Sequence, residues 1–337
     1  MNITYLFGAG ASKDTLPITK EIPGRMLEII NKIKSNELRL SNDDYFKNNS
    51  EYTKRRIQDF LIEDMSWLHE HASRHASIDT FAKKLFLTKK FTELLRLKNA
   101  FSCYLIFEQA KPETDSRYDL FYASILKTTS YSFPVNINIV SWNYDIQFEK
   151  AYVEYSDSKE LYHNRSALNV ITKFDRSQPD VSCFCIVKLN STTNIWQQRG
   201  RSHIHYIEDI PTVLDINLMH KVVESYAFVK FNSQGYESTL SFAWEGQSFN
   251  NYDLLDTTKK VVEETEILVV IGYSFPYFNR QIDRDIICSM TKLKKVYYQS
   301  PDSSKLIDKL IALRNDLKGK IDPIVELEQF YIPNEFD

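Results

Sequence analysis

Glycine is scarce in this chain, with 8 residues in 337, so two glycines within three positions are a placement rather than background. Proline is nearly as thin at 10, and together the two exclude a collagen-like or low-complexity polymer. The 4 cysteines, at positions 103, 183, 185 and 288, form no Cys-x-x-Cys pair. That excludes a zinc ribbon, and an intracellular chain gives no reason to expect disulfides. No apolar run approaches the roughly 20 residues that span a bilayer. The start, Met1-Asn2-Ile3-Thr4, has neither a basic n-region nor a small-residue cleavage site; the expected location is the cytoplasm, without membrane attachment. A formal charge of −3 supplies no field that draws nucleic acid to the whole surface.

What is present is a globular composition, 43% hydrophobic and 26% charged, enough to bury a large core. The chain opens on Ile3-Thr4-Tyr5-Leu6-Phe7, an uncharged run that reads as a buried strand. It stops at Gly8-Ala9-Gly10-Ala11-Ser12, a turn whose free N–H groups and close backbone approach suit a phosphate. Beyond Pro17, helical periodicity begins near Ile22 and dominates residues 24 to 130 with no convincing strand. We expect a helical subdomain there, within a single domain spanning 1–337, because the block is too long for a simple crossover. Within it, Asn42-Asp43-Asp44 and Lys47-Asn48-Asn49-Ser50 read as loop, residues 53–70 as a helix, and Ser77 or Asp79 as the cap of another. His71 and His75 have the i, i+4 spacing of a shared metal, but no glutamate stands between them. Basic pairs at Lys83-Lys84, Lys89-Lys90 and Arg96-Lys98 read as a solvated helix face rather than a nucleic-acid contact.

Strands resume at 135–141, leading into Trp142-Asn143-Tyr144-Asp145, an amide and a carboxylate two apart where α/β enzymes hold ligand. The alternative is an Asn/Asp turn that caps the next helix. That helix, Ile146 to Tyr155, carries Phe148 and Tyr152 on one face, with Glu149 and Lys150 turned away. Further strands are expected at 183–189, 226–231, 267–271 and 295–299; Cys183 and Cys185 alternate on the first of these as small apolar residues. The run Ile267-Leu268-Val269-Val270-Ile271 is that of a parallel sheet covered on both faces, and it ends at Gly272-Tyr273-Ser274-Phe275-Pro276. The polar stretch 190–211, with Asn194, Gln197, Gln198, Arg199, Gly200 and Arg201, reads as loop. The fold class is therefore α/β, a Rossmann-like parallel sheet with a large helical insertion.

Four motifs taken in order resemble the bacterial sirtuin-like family of NAD-degrading anti-phage defence proteins. They are Phe7-Gly8-Ala9-Gly10-Ala11-Ser12, Ser77-Ile78-Asp79-Thr80-Phe81, Ser141-Trp142-Asn143-Tyr144-Asp145 and Ile271-Gly272-Tyr273-Ser274-Phe275-Pro276. The resemblance implies a sirtuin-like fold without zinc ribbon or metal, and NAD as substrate or ligand. Gly8, Ala9, Gly10 and Ser12 would hold the pyrophosphate. Asn143 and Asp145 would face the nicotinamide and its ribose, and Gly272 and Ser274 the adenosine ribose. An amide and a carboxylate suit cleavage of the nicotinamide–ribose bond, which needs an oriented ribose and a stabilised oxocarbenium-like charge.

Two departures qualify this. Without the zinc ribbon, deacetylation is not expected. In Val187-Lys188-Leu189-Asn190-Ser191, Asn190 stands where many relatives have the catalytic histidine, and asparagine takes no proton near neutral pH. The resemblance thus implies an NAD glycohydrolase resting on Asn143 and Asp145 with Asn190 beside them, or, alternatively, a subunit that binds NAD or ADP-ribose for a defence complex. An ordinary dehydrogenase is weaker, because Lys13 replaces the third glycine of Gly-x-Gly-x-x-Gly. Silencing until infection implies self-assembly into a homo-oligomer, a separate defence protein such as a ring-forming ATPase, or both.

Overall fold

The computed structural model describes residues 1–337 except 47–48, 128–131, 175–178, 199–202, 232–235, 247, 250–251 and 337. The chain divides into two compact units. The first comprises Met1–Asp14, Thr114–Ser191 and Ser241–Asp337, the second Thr15–Glu113 and Thr192–Leu240. The chain passes between the units at four points, and no linker composition marks any of them. The helical block expected over 24–130 is accordingly split: its helices up to Glu108 belong to the second unit, and Ser116–Ile125 belongs to the first.

In the first unit seven strands form one sheet: β1 Ile3–Phe7, β2 Ile137–Ser141, β3 Val170–Ile171, β4 Ile186–Lys188, β5 Ile267–Ile271, β6 Lys295–Gln299 and β7 Ile321–Ile324. Their order is β7-β6-β5-β1-β2-β4-β3, and every pairing is parallel. The fold is α/β and Rossmann-like. Alternation along the strands divides the core between two faces. Tyr5, Phe7, Ile139 and Val269 pack on one side with Phe121 of helix Ser116–Ile125 and with Phe330, while Leu6, Val140, Leu268 and Val270 pack on the other with Val262, Ile286 and Leu310. The chain leaves β1 toward β2 and later returns to β1's opposite flank as β5. Strand order therefore reverses between β1 and β5, and in such sheets the crevice outside the carboxyl ends at that point is the ligand position.

In the second unit, helix Lys54–Arg74 starts where the Thr53 hydroxyl accepts from Arg56 N–H, and helix Ile78–Leu87 where Ser77 does so from Thr80. Both caps satisfy N–H groups that have no partner within their helix. Buried Asp64 ties three helices together, accepting from Arg96 at 2.6 Å, Lys230 at 2.7 Å and the Tyr226 hydroxyl at 2.5 Å. Three expectations are corrected here. Residues 226–231 are not a strand but the end of helix Ile216–Phe231; Leu218, Met219, Val222, Val223, Tyr226 and Ala227 are buried at helical spacing, which overrides the local aromatic run. The 24–130 block does contain strands, Asp44–Phe46 paired with Asn49–Thr53; of the presumed loop there, Lys47 and Asn48 lie outside the described residues. In the stretch taken as loop, Ile195–Gln198 pairs with His203–His205 and with Tyr236–Ser238, a distant partner that a polar sequence does not advertise. Arg199, Gly200 and Arg201 lie outside the described residues. Among the described residues no helix is long and apolar enough to cross a membrane.

Candidate functional site

The carboxyl ends of β1, β2, β4 and β5 lie side by side, and backbone bonds continue past the strands. Trp142 N–H donates to Phe7 O at 3.0 Å, Leu189 N–H to Ser141 O at 2.9 Å and Gly8 N–H to Ile271 O at 3.0 Å. Four segments far apart in sequence are thereby gathered on one edge: Gly8–Ser12, Trp142–Asp145, Asn190–Ser191 and Gly272–Ser274.

The glycines are explained first by each other. Gly10 N–H donates to Gly272 O at 2.9 Å, and a Cβ on Gly10 would lie 2.9 Å from the Gly272 Cα and carbonyl oxygen. A Cβ on Gly272, whose φ is +60°, would lie 2.3 Å from Ala11 N. Two backbones touch here with no room for a side chain. The free N–H groups expected at this turn are also spent at Gly8, Gly10 and Ala11, the last donating to Gly8 O at 2.9 Å. The turn itself continues as a short 3-10 helix, Ala9–Ser12, and the helix expected from about Ile22 follows as Ile22–Ile33. Ala9 and Ser274 are exposed on this edge. Arg117 fastens the turn from below, donating to Ala11 O at 2.9 Å and pairing with Asp115 at 2.6 Å and Asp14 at 3.3 Å.

Ser12 is buried and serves Asp145. Its hydroxyl donates to Asp145 Oδ2 at 2.8 Å, and its oxygen lies 2.8 Å from the Tyr118 hydroxyl and 3.4 Å from Asn143 Nδ2. With its one proton given to Asp145, Ser12 accepts from Tyr118 and Asn143. Asp145 Oδ1 accepts from Gln147 N–H at 3.1 Å, an Asx turn leading into helix Gln147–Ala151, whose N-cap position is Ile146 and carries no side-chain cap. Burial raises the Asp145 pKa, while the charge of Lys188, the Ser12 hydroxyl and the Gln147 N–H lower it.

Lys188 is the cation under this cluster. Its ammonium donates to Glu149 Oε1 and Oε2 at 2.7 and 2.8 Å and to the Asp145 carbonyl at 2.7 Å. Three protons meet three acceptors. Glu149 is fully buried and Lys150 nearly so, which corrects the expectation that both turn outward: the expected helix is two short ones, Gln147–Ala151 and Val153–Ser156, and the first meets β4 through Glu149.

Asn190 Nδ2 donates to the Trp142 carbonyl at 2.7 Å, bracing the peptide just before Asn143. Among the described residues its buried Oδ1 has no hydrogen-bond partner, nor has the Ser191 hydroxyl, at a residue with φ +59°. Unpaired buried acceptors are costly and mark where a donor is missing. The first unit's sequence holds a single histidine, His163, and it is exposed on helix Leu161–Ala167.

Sequence reasoning missed Asp283. Its carboxylate accepts from Trp142 Nε1 at 3.0 Å and from the Tyr273 hydroxyl at 2.9 Å, joining the β2 and β5 loops. The two rings lie near parallel, 6.2 Å apart. Burial lifts its pKa to about 7. The available signal was its place on the buried stripe of helix Arg280–Ser289, one turn before Ile286 and Ile287. Lys188 was legible in the same way, as a lone charge inside the apolar run of β4.

The remaining candidates are elsewhere. His75 Nδ1 lies 2.7 Å from the His71 carbonyl, and both rings pack on Phe81, His71 stacked at 4.4 Å. Among the described residues no group of three or more His, Cys, Asp or Glu is arranged to hold a metal ion. Cys185 is buried and Cys183 only partly.

This edge presents a buried amide and carboxylate, two unsatisfied polar atoms and exposed loop tips, all outside the carboxyl ends of a parallel sheet. It can orient a polar ligand and stabilise positive charge near Asp145. No family model matches the chain, and no curated protein matches it.

Proposed function

We propose that the chain binds NAD at this edge and cleaves its nicotinamide–ribose bond, as a sirtuin-like glycohydrolase. The single observation that carries the reading is the Asn143–Ser12–Asp145 cluster beside the β1/β5 reversal, where doubly wound sheets take dinucleotides. Nicotinamide leaves NAD as a neutral ring and needs no proton from the protein. The demand on the site is therefore to orient the ribose and to offset the positive charge that grows on it. Asn143 orients and Asp145 offsets; water then adds to the ribose carbon and loses a proton, giving nicotinamide and ADP-ribose. The unpaired Asn190 Oδ1 fits a ribose hydroxyl as donor, so Asn190 holds substrate rather than moving a proton.

The glycines contribute shape. By letting β1 and β5 loops touch, Gly8, Gly10 and Gly272 open the edge to a pyrophosphate lying over Ala9, with Ser274 on the adenosine side. Ser12 enters as the residue that fixes Asp145, not as a phosphate ligand. The four-motif resemblance extends the proposal to a cytoplasmic effector of bacterial anti-phage defence, acting as a homo-oligomer or with a partner such as a ring-forming ATPase.

A second reading, a binding subunit that holds NAD or ADP-ribose without turnover, is favoured by Asn190, which offers no imidazole and commits its amide nitrogen to the Trp142 carbonyl. Incubating the purified chain with NAD while following nicotinamide, alongside calorimetry with ADP-ribose, separates the two. Release supports the enzyme, binding without release supports the subunit, and a chain that shows neither release nor binding overturns both.

A further inference from the structure

Two surfaces of this chain are complementary, and neither takes part in the proposed site. In the second unit, helix Ile78–Leu87 turns into helix Phe91–Glu108 through a tight corner. Lys89, at φ +58°, donates its N–H to Phe86 O, and Lys90 donates to Leu85 O at 2.9 Å. The corner thrusts apolar side chains outward: Leu87 is 66% and Phe91 53% exposed, and the Phe86 and Phe91 rings meet edge-on at 6.0 Å. From residue 83 to 95 there are four lysines and one glutamate. Among the described residues Lys84 and Lys89 have no ion-pair partner. This is a basic rim around exposed apolar surface, a composition that marks an interaction site.

In the first unit, the chain leaving the edge strand β7 runs as Val325-Glu326-Leu327-Glu328-Gln329, all exposed. It is held rigidly: Gln299 Nε2 donates to the carbonyls of Glu326 at 2.6 Å and Gln329 at 2.7 Å. Val325 is 68% exposed, and among the described residues Glu326 and Glu328 have no ion-pair partner. The ridge is apolar and acidic where the corner is apolar and basic.

We propose that the Val325–Gln329 ridge of one copy docks on the Phe86–Phe91 corner of the next. Opposite charges on pre-set backbones give the contact its register, and the apolar tips leave water together. Every copy carries both surfaces, so each both gives and receives the contact, which closes as a reciprocal pair or repeats as a ring or filament.

Charge reversal of exposed side chains tests this without touching the core. In sedimentation velocity the wild-type full chain runs above monomer mass and shifts toward monomer as salt rises. Lys84→Glu/Lys89→Glu shifts the distribution to monomer, and so does Glu326→Lys/Glu328→Lys, each with unchanged circular dichroism. Combining all four substitutions in one chain restores the larger species, since the reversed corner again meets a reversed ridge. A monomeric wild type overturns the proposal. So does assembly that ignores either reversal, or a fourfold variant that stays monomeric; if the corner serves an anionic membrane or another acidic protein, the lysine reversal leaves the assembly untouched.

Discussion

The ammonium of Lys188 lies 2.7 Å from the backbone carbonyl of Asp145, so a strand-borne cation holds the turn that carries the site's amide and carboxylate. The same ammonium neutralises Glu149, and neither side chain is more than 1% exposed. One residue thus fixes the turn and balances a buried charge, and it opposes the burial that raises the Asp145 pKa.

Lys188→Met leaves the Glu149 carboxylate buried and unpaired. The expected loss is about 3–5 kcal/mol, whereas Lys188→Met/Glu149→Leu recovers a large part of it because no lone charge remains. Urea unfolding of the three variants checks this. A single variant that loses less than about 1 kcal/mol would remove the pair from the scaffold of the site.

Asp283 predicts a pH dependence. Its carboxyl is lifted from 3.8 to about 7 by burial, so between those values the folded chain keeps a proton that the unfolded chain releases. The stability this group contributes is full below about pH 4 and is lost as pH rises through about 7. Asp283→Asn keeps an acceptor for Trp142 Nε1 but cannot ionise. Its melting temperature should gain on wild type between about pH 5 and pH 8, and a constant difference across that range would contradict the assignment.

Glycine substitutions divide by what surrounds them. Gly272→Ala, with its +60° φ and a Cβ contact at 2.3 Å, should cost at least about 2 kcal/mol. Gly24→Ala, within helix Ile22–Ile33 and with nothing inside 4 Å, should gain about 0.5–1 kcal/mol. Gly10→Val strikes the Gly272 backbone, so lost NAD binding in that variant reports a broken loop, not a phosphate contact. Equal stability changes at Gly24 and Gly272 would refute the close approach.

Sequence reading places β1, β2, β4, β5 and β6, and β1 and β5 stand out because they are uncharged runs buried along their whole length. β3 has two residues, and β7 reads Ile-Asp-Pro-Ile at a sheet edge; neither carries a period. Asn143 and Asp145 were legible because the chain turns directly after a clear strand. Glu149 was misjudged for a physical reason: a charge on a short helix defaults to solvent, and only a lysine 39 residues away makes it inward. Ser12 and the glycines were found, but their work inside the protein, fastening Asp145 and admitting the opposite backbone, appears only when β1 and β5 stand together.

Asn190 carries a prediction for the enzyme reading. Asn190→His should give nicotinamide release a pH dependence centred near about 6.5, the ordinary histidine pKa. An unaltered profile from pH 5 to 9, with NAD still bound, would leave Asn190 as the brace of the Trp142 carbonyl alone.

The most direct test of the central claim is nicotinamide release from NAD by wild type and by Asn143→Ala. The account predicts release by wild type, and a fall of about 100-fold or more in the variant with its melting temperature unchanged, the scale of losing one placed polar group at a transition state. Wild-type turnover in Asn143→Ala would contradict it, as would a wild type that neither releases nicotinamide nor binds NAD.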